Sequence, residues 1–132
     1  MKLYIYTDGG ARGNPGPAAT GVVIKDGIGK TIAEFGEYLG EQTNNFAEYS
    51  ALIAGLKKAR GLGATEVECV LDSELVTKQM RGEYRVREPN LQKLFVQAYN
   101  AASAFKKTSY RHTLRHNNKE ADRIVNKILD ER

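Results

Sequence analysis

The chain reads as a mixed α/β protein: a five-stranded sheet flanked by helices, with elements in the order βββαβααβα. Three observations predict this. Strand-length apolar runs separated by turn residues occupy residues 3–39. Segments with apolar residues at helical spacing follow at 45–59, 90–105 and 118–129. Short strand-like runs at 65–71 and 109–114 alternate with those helices, a pattern that gives parallel strands joined by crossovers.

Taken in order, residues 3–8 form a buried strand that ends at Asp8, where residues 9–17 carry the densest turn signal in the chain. Residues 21–25 and 31–39 are two further strands joined around Asp26 and Gly27, so the first three strands make an antiparallel meander. A helix over 45–59 takes Thr43 or Asn44 as its N-cap and is ended by Gly61 and Gly63. Residues 65–71 are the fourth strand and 73–80 a short helix. Residues 82–89 connect to a helix over 90–105, which Pro89 can open, and which carries Leu91, Leu94, Phe95, Ala98 and Ala102 on one stripe. A fifth strand at 109–114 and a helix at 118–129 complete the order, with strands one, four and five expected to be parallel.

At 132 residues the chain is expected to be one domain, 1–132, with an ordinary 41% apolar and 27% charged residues. No run approaches the roughly 20 apolar residues of a membrane span, and the N-terminus enters a strand without a signal-peptide pattern. The single Cys69 excludes an internal disulfide and reads as a core thiol. A monomeric cytoplasmic protein without a membrane partner is expected. The net charge of +4 arises from residues 106–132, where eight Lys and Arg face four acids, and suggests a polyanionic partner.

Four carboxylates interrupt apolar patterns: Asp8 and Asp72 at strand ends, Glu48 on the first helix, and Asp122 near the start of the last. Glu48 shares a helical face with Leu52, Leu56 and Ala59, so it points toward the sheet. Asp122 borders the stripe of Ala121, Val125, Ile128 and Leu129. Each has a local structural reading: Asp72 as a cap, Asp8 as a turn residue, Glu48 favouring its helix N-terminus. Together they favour one site, because a buried unpaired carboxylate costs several kcal/mol. Hard oxygen ligands in that number suit Mg²⁺ or Mn²⁺. The glycine-rich stretch 9–17 lacks the Gly-Lys-Ser/Thr ending of a P-loop, and no helix follows it.

Thr7-Asp8-Gly9-Gly10-Ala11-Arg12-Gly13-Asn14-Pro15-Gly16-Pro17, then Thr43-Asn44-Asn45-Phe46-Ala47-Glu48-Tyr49, Leu71-Asp72-Ser73 and Asn118-Lys119-Glu120-Ala121-Asp122-Arg123 closely resemble the motifs of type 1 ribonuclease H. They occur in family order and span essentially the whole chain. The resemblance implies that Asp8, Glu48, Asp72 and Asp122 form a catalytic metal-binding tetrad for two ions, with Asp8 central. It implies cleavage of the RNA strand of RNA–DNA hybrids, leaving a 5′-phosphate and 3′-hydroxyl, by ions roughly 4 Å apart. Asn14, Asn44 and Asn45 match hybrid contacts in the minor groove, where the 2′-OH marks RNA, and Thr43 matches a DNA-phosphate contact.

Three departures from the family pattern matter. Residues 82–88 are too few for the basic helical protrusion of many bacterial members, which resembles the archaeal-type branch and leaves RNA–RNA duplex open as a second substrate. Glu74 stands where many members carry Gln. The family's mobile histidine has two competing counterparts, His116 as a proton shuttle and Arg115 as a phosphate-charge stabiliser. His112, inside a strand, reads as structural. Two other readings stand beside hydrolysis: a non-catalytic hybrid-binding module of the same fold, and another nuclease or integrase of the superfamily.

Overall fold

The computed structural model describes residues 1–132. Its strands are β1 (Lys2–Ala11), β2 (Gly16–Lys25), β3 (Thr31–Gln42), β4 (Glu66–Leu71) and β5 (Lys107–His112). Its helices are α1 (Asn44–Gly61), α2 (Glu74–Met80), α3 (Pro89–Ala102) and α4 (Lys119–Asp130). They form one sheet ordered β3-β2-β1-β4-β5, antiparallel across β1, β2 and β3 and parallel across β1, β4 and β5. The expected order and strand directions are therefore observed. No helix is long and apolar enough to cross a membrane.

The larger core lies on one face, where Leu3, Ile5, Val22, Ile24, Val67, Cys69 and Leu71 pack against Leu52 and Leu56 of α1 and Leu91 and Leu94 of α3. Burial pushes the Cys69 thiol up in pKa, which keeps it neutral in this core. On the opposite face Val125 and Leu129 of α4 pack on Ala19 of β2. β1 is thus the central strand, with the rest of the meander on one side and the parallel strands β4 and β5 on the other.

The strand boundaries depart from expectation in a way that moves the site. β1 does not end at Asp8. Its parallel pairing with β4 stops at Thr7↔Leu71, while its antiparallel pairing with β2 continues through Asp8↔Gly21 to Ala11↔Ala18. Asp8 therefore sits where one ladder ends and the other goes on. Gly9 and Gly10 looked like a turn but are strand residues. A Cβ on Gly9 would lie 2.2 Å from the Ala47 carbonyl carbon, and one on Gly21 would lie 2.2 Å from the Ala121 oxygen. These two glycines seat α1 and α4 against the sheet at the level of Asp8.

Other boundaries shift for local reasons. β2 starts at Gly16 and β3 runs to Gln42. The β2–β3 connection is a loop over residues 26–30, organised by Asp26 Oδ1, which accepts from the Ile28 and Lys30 amides at 3.0 and 2.9 Å. β5 ends at His112, and a 3₁₀ turn at Arg115–Asn117 that the sequence pattern did not indicate leads into α4.

Candidate active site

Three carboxylates converge from three elements. Asp8 lies in β1, Asp72 directly follows β4, and Glu48 projects from α1 at the point where that helix meets Gly9. The Gly9 amide donates to Glu48 Oε1 at 2.8 Å, fixing the carboxylate beside β1. One oxygen from each of Asp8, Glu48 and Asp72 lies within 4.8 Å of the other two. Asp122, in the first turn of α4, stands outside this group at its rim with a side chain 31% exposed. The Arg115 guanidinium reaches toward both sides, 4.0 Å from Asp72 Oδ2 and 3.9 Å from Asp122 Oδ1.

Burial sets the electrostatics. It raises the Asp8 carboxyl to about 7, with the neighbouring Asp72 charge adding to the rise. Glu48 is pushed well above the usual carboxylate range by burial, then by Asp8 and Asp72. Asp72 is also raised by burial, with Arg115 pulling the other way. Asp8 Oδ1, Glu48 Oε2 and Asp72 Oδ2 are buried without a hydrogen-bond partner. Such a cluster is relieved by protonation or by a cation. An all-oxygen donor set with three orphaned atoms fits a hard divalent ion, and no thiol or imidazole belongs to the group.

Asn14, Thr43, Asn44 and Asn45, expected to touch substrate, gather at the N-terminal end of α1. Thr43 is the N-cap of α1, its hydroxyl oxygen accepting from the Phe46 amide at 3.1 Å. Asn44 Oδ1 accepts from the Ala11 amide at 2.8 Å, and Asn14 Oδ1 accepts from the Asn44 amide at 3.0 Å. The two asparagines thus knit the end of β1 and the loop that follows it to α1 through their oxygens alone, and, both being exposed, they keep their side-chain N–H donors free of bonds within the chain. Asn45 is half-buried and its side chain makes no hydrogen bond within the chain. His116 is exposed and lines a separate concavity with Tyr6, Lys25 and Lys119. His112 Nε2 lies 3.3 Å from the Asp72 carbonyl oxygen, a backbone contact. Glu74 pairs with Lys78 at 3.4 Å on the surface of α2.

One polar residue beside the cluster was not singled out by sequence reasoning. Asn118 is 2% exposed, and its Nδ2 donates to the Thr7 carbonyl at 2.8 Å. In sequence it opens the last of the family-like motifs and stands ahead of the last helix, where an asparagine is ordinarily a cap, and neither signal gave it a role of its own.

A concavity of about 710 Å³ runs between α1 and α3 and contains none of Asp8, Glu48, Asp72 and Asp122, although Thr43 lines it. Asp8 and Asp122 open instead into a cleft of about 120 Å³ shared with Arg12, Asn44 and Arg115. A cleft this small, lined by Asp8 and Asp122 together with Arg12 and Arg115, suits a polymer lying across the surface better than an enclosed small molecule.

Comparison with known proteins agrees with this geometry. A family model described as reverse transcriptase-like matches residues 6–128. A ribonuclease HI of Halobacterium salinarum is 42% identical over 130 residues, covering 98% of this chain and 65% of the relative. Its crystal structure covers 100% of both chains at a TM-score of 0.97 and 41% identity. A bifunctional protein of Mycobacterium tuberculosis is 47% identical over 131 residues, 98% of this chain and 36% of that protein. The chain therefore spans about a third of its mycobacterial relatives and just under two thirds of the halobacterial one. LC11 RNase H1, solved in complex with an RNA/DNA hybrid, superposes with a TM-score of 0.93 at 44% identity, covering 98% of this chain and 97% of that one.

Proposed function

The chain belongs to the type 1 ribonuclease H family, and on that premise we propose that it is a metal-dependent endoribonuclease that hydrolyses the RNA strand of RNA–DNA hybrids. The products are 5′-phosphate and 3′-hydroxyl ends. The observation that carries the reading is the convergence of Asp8, Glu48 and Asp72, with orphaned oxygens, inside a chain that keeps the family pattern over residues 6–128. Residues 1–132 act in this proposal as a single, monomeric, cytoplasmic ribonuclease H domain.

Asp8, Glu48, Asp72 and Asp122 would hold the divalent ions, two Mg²⁺ or Mn²⁺. When bound, these ions supply positive charge at the scissile phosphate and make a water nucleophilic near neutral pH. The protein's own part is to present four carboxylates at a fixed spacing and to align the duplex. The side-chain N–H groups of Asn14 and Asn44, free of bonds within the chain, with Asn45 beside them, donate to acceptors in the minor groove and to the 2′-OH of the cleaved strand. Thr43 retains its O–H as a donor for a DNA-strand phosphate, at the positive end of α1. With a surface loop in place of a basic protrusion, the chain resembles the archaeal-type branch, and RNA–RNA duplex is a second candidate substrate.

Strand-specific cleavage tests this reading and separates it from a hybrid-binding module without activity. A duplex labelled on one strand is incubated with Mg²⁺ and, separately, with chelator. The expected result is a cut RNA strand in the hybrid only when metal is present, with DNA–DNA duplex left intact. Cutting that survives chelation, or cutting of DNA duplex as fast as hybrid, would contradict it. Tight hybrid binding without cleavage would favour the binding module.

Arg115 and His116 carry different expectations. Arg115 faces two of the carboxylates and can offset phosphate charge. His116 contacts none of them. Arg115→Ala is expected to slow turnover about 10- to 100-fold, the scale of a single charge-stabilising or proton-transfer group. His116→Ala is expected to stay within about threefold of wild type, as for a residue outside the reacting geometry. A deeper loss in the histidine variant would assign the shuttle role to His116.

A further inference from the structure

Asn118 occupies the N-cap position of α4, yet its side chain makes no capping hydrogen bond. Instead it is buried, and Nδ2 donates at 2.8 Å to the carbonyl of Thr7, a residue far away in the chain and adjacent to Asp8. Thr7 is also the last β1 residue paired with β4, opposite Leu71, after which the chain turns into Asp72. The carbonyl stands where the parallel ladder stops, and the asparagine amide provides it with a donor. The amide orientation follows from chemistry, because turning it over would set Oδ1 against the carbonyl oxygen. The Asn118 carbonyl in turn accepts from the Asp122 amide at 3.1 Å, the first turn of the helix that carries the fourth carboxylate.

An asparagine in this position ordinarily caps its own helix. Here the side chain ties α4 to β1 at the residue before Asp8, beside the Asp72 carboxylate. We infer that Asn118 is a positioning residue that sets the spacing of Asp122 and Asp72 against Asp8. The inference rests on the reading that these carboxylates hold divalent ions. Groups that orient metal-binding carboxylates typically change metal affinity or activity 10- to 100-fold when removed.

The test compares wild type with Asn118→Ala and Asn118→Ser. Serine is a good N-cap, so Asn118→Ser keeps α4 anchored while losing the reach to Thr7. Three readouts are taken: Mn²⁺ binding by calorimetry without nucleic acid, single-turnover and steady-state cleavage of a hybrid, and thermal denaturation. Both variants are expected to bind Mn²⁺ about tenfold or more weakly and to lose about 10- to 100-fold in kcat, with KM within about threefold. Asn118→Ser is expected to melt at or above Asn118→Ala. Wild-type Mn²⁺ affinity and kcat in Asn118→Ser would overturn the inference and reduce the side chain to a helix anchor. If wild type binds Mn²⁺ but leaves the hybrid uncut, the functional reading fails, while weakened Mn²⁺ binding in both variants still supports positioning. If wild type cuts and the variants bind Mn²⁺ unchanged, positioning alone fails. A wild type that takes up no Mn²⁺ overturns both.

Discussion

Asp8→Asn is expected to lower hybrid cleavage by on the order of 10³-fold or more while making the metal-free protein more stable. Asp8 shares the closest carboxylate group with Glu48 and Asp72 and is 2% exposed, so its charge is central to any cation held there. The same charge is a burden without metal. The folded Asp8 carboxyl is raised from 3.8 to about 7, and Glu48 and Asp72 move in the same direction. A carboxyl with a raised folded pKa favours the fold below its unfolded value, and that contribution is lost as pH climbs through the folded value. The metal-free wild type should therefore melt higher at pH 5 than at pH 8, by an amount reflecting a few kcal/mol. Asp8→Asn should flatten that dependence. Thermal denaturation at the two pH values in chelator checks the stability half, and single-turnover cleavage at saturating Mg²⁺ checks the other. Full activity in the variant would remove Asp8 from the site.

Gly9→Ala is the second large effect. The added Cβ would lie 2.2 Å from the Ala47 carbonyl carbon and 2.4 Å from the Glu48 nitrogen, both backbone atoms that cannot rotate away. Overpacking of this kind costs about 3 kcal/mol or more, equivalent to a fall of roughly 10 °C in melting temperature for a domain of this size. Any relaxation separates α1 from β1 and stretches the 2.8 Å bond between the Gly9 amide and Glu48. Cleavage should therefore fall even at temperatures where the variant is fully folded. Gly10→Ala is the internal control, since its Cβ would meet only Val125 Cγ1 at 3.6 Å, an ordinary contact. Equal stability and activity in the two variants would mean that the α1 contact does not position Glu48.

Much of this arrangement was legible in the chain. The alignment of Glu48 with Leu52, Leu56 and Ala59 gives its direction from helical period alone, and all four are buried. Asp8 was harder. Gly9 and Gly10 carry the composition of a turn, but at Gly9 the glycine is needed for close helix approach within a continuing strand, and the two demands leave the same local mark. Asn118 could not be read at all as a tether, because an asparagine before a helix looks like a cap until its contact with Thr7 is known. The 3₁₀ turn at Arg115–Asn117, which decides that arginine rather than histidine faces the carboxylates, has no apolar period to announce it.

The central claim is that the buried carboxylates of Asp8, Glu48 and Asp72 form the divalent-cation site that drives cleavage. Anomalous diffraction from Mn²⁺-soaked crystals, collected for wild type and Asp8→Asn, tests it most directly. The account predicts a manganese peak in contact with the Asp8, Glu48 and Asp72 carboxylates of wild type, lost in the inactive variant. Manganese bound only elsewhere on the molecule, in a wild-type protein that still cuts the hybrid, would contradict it.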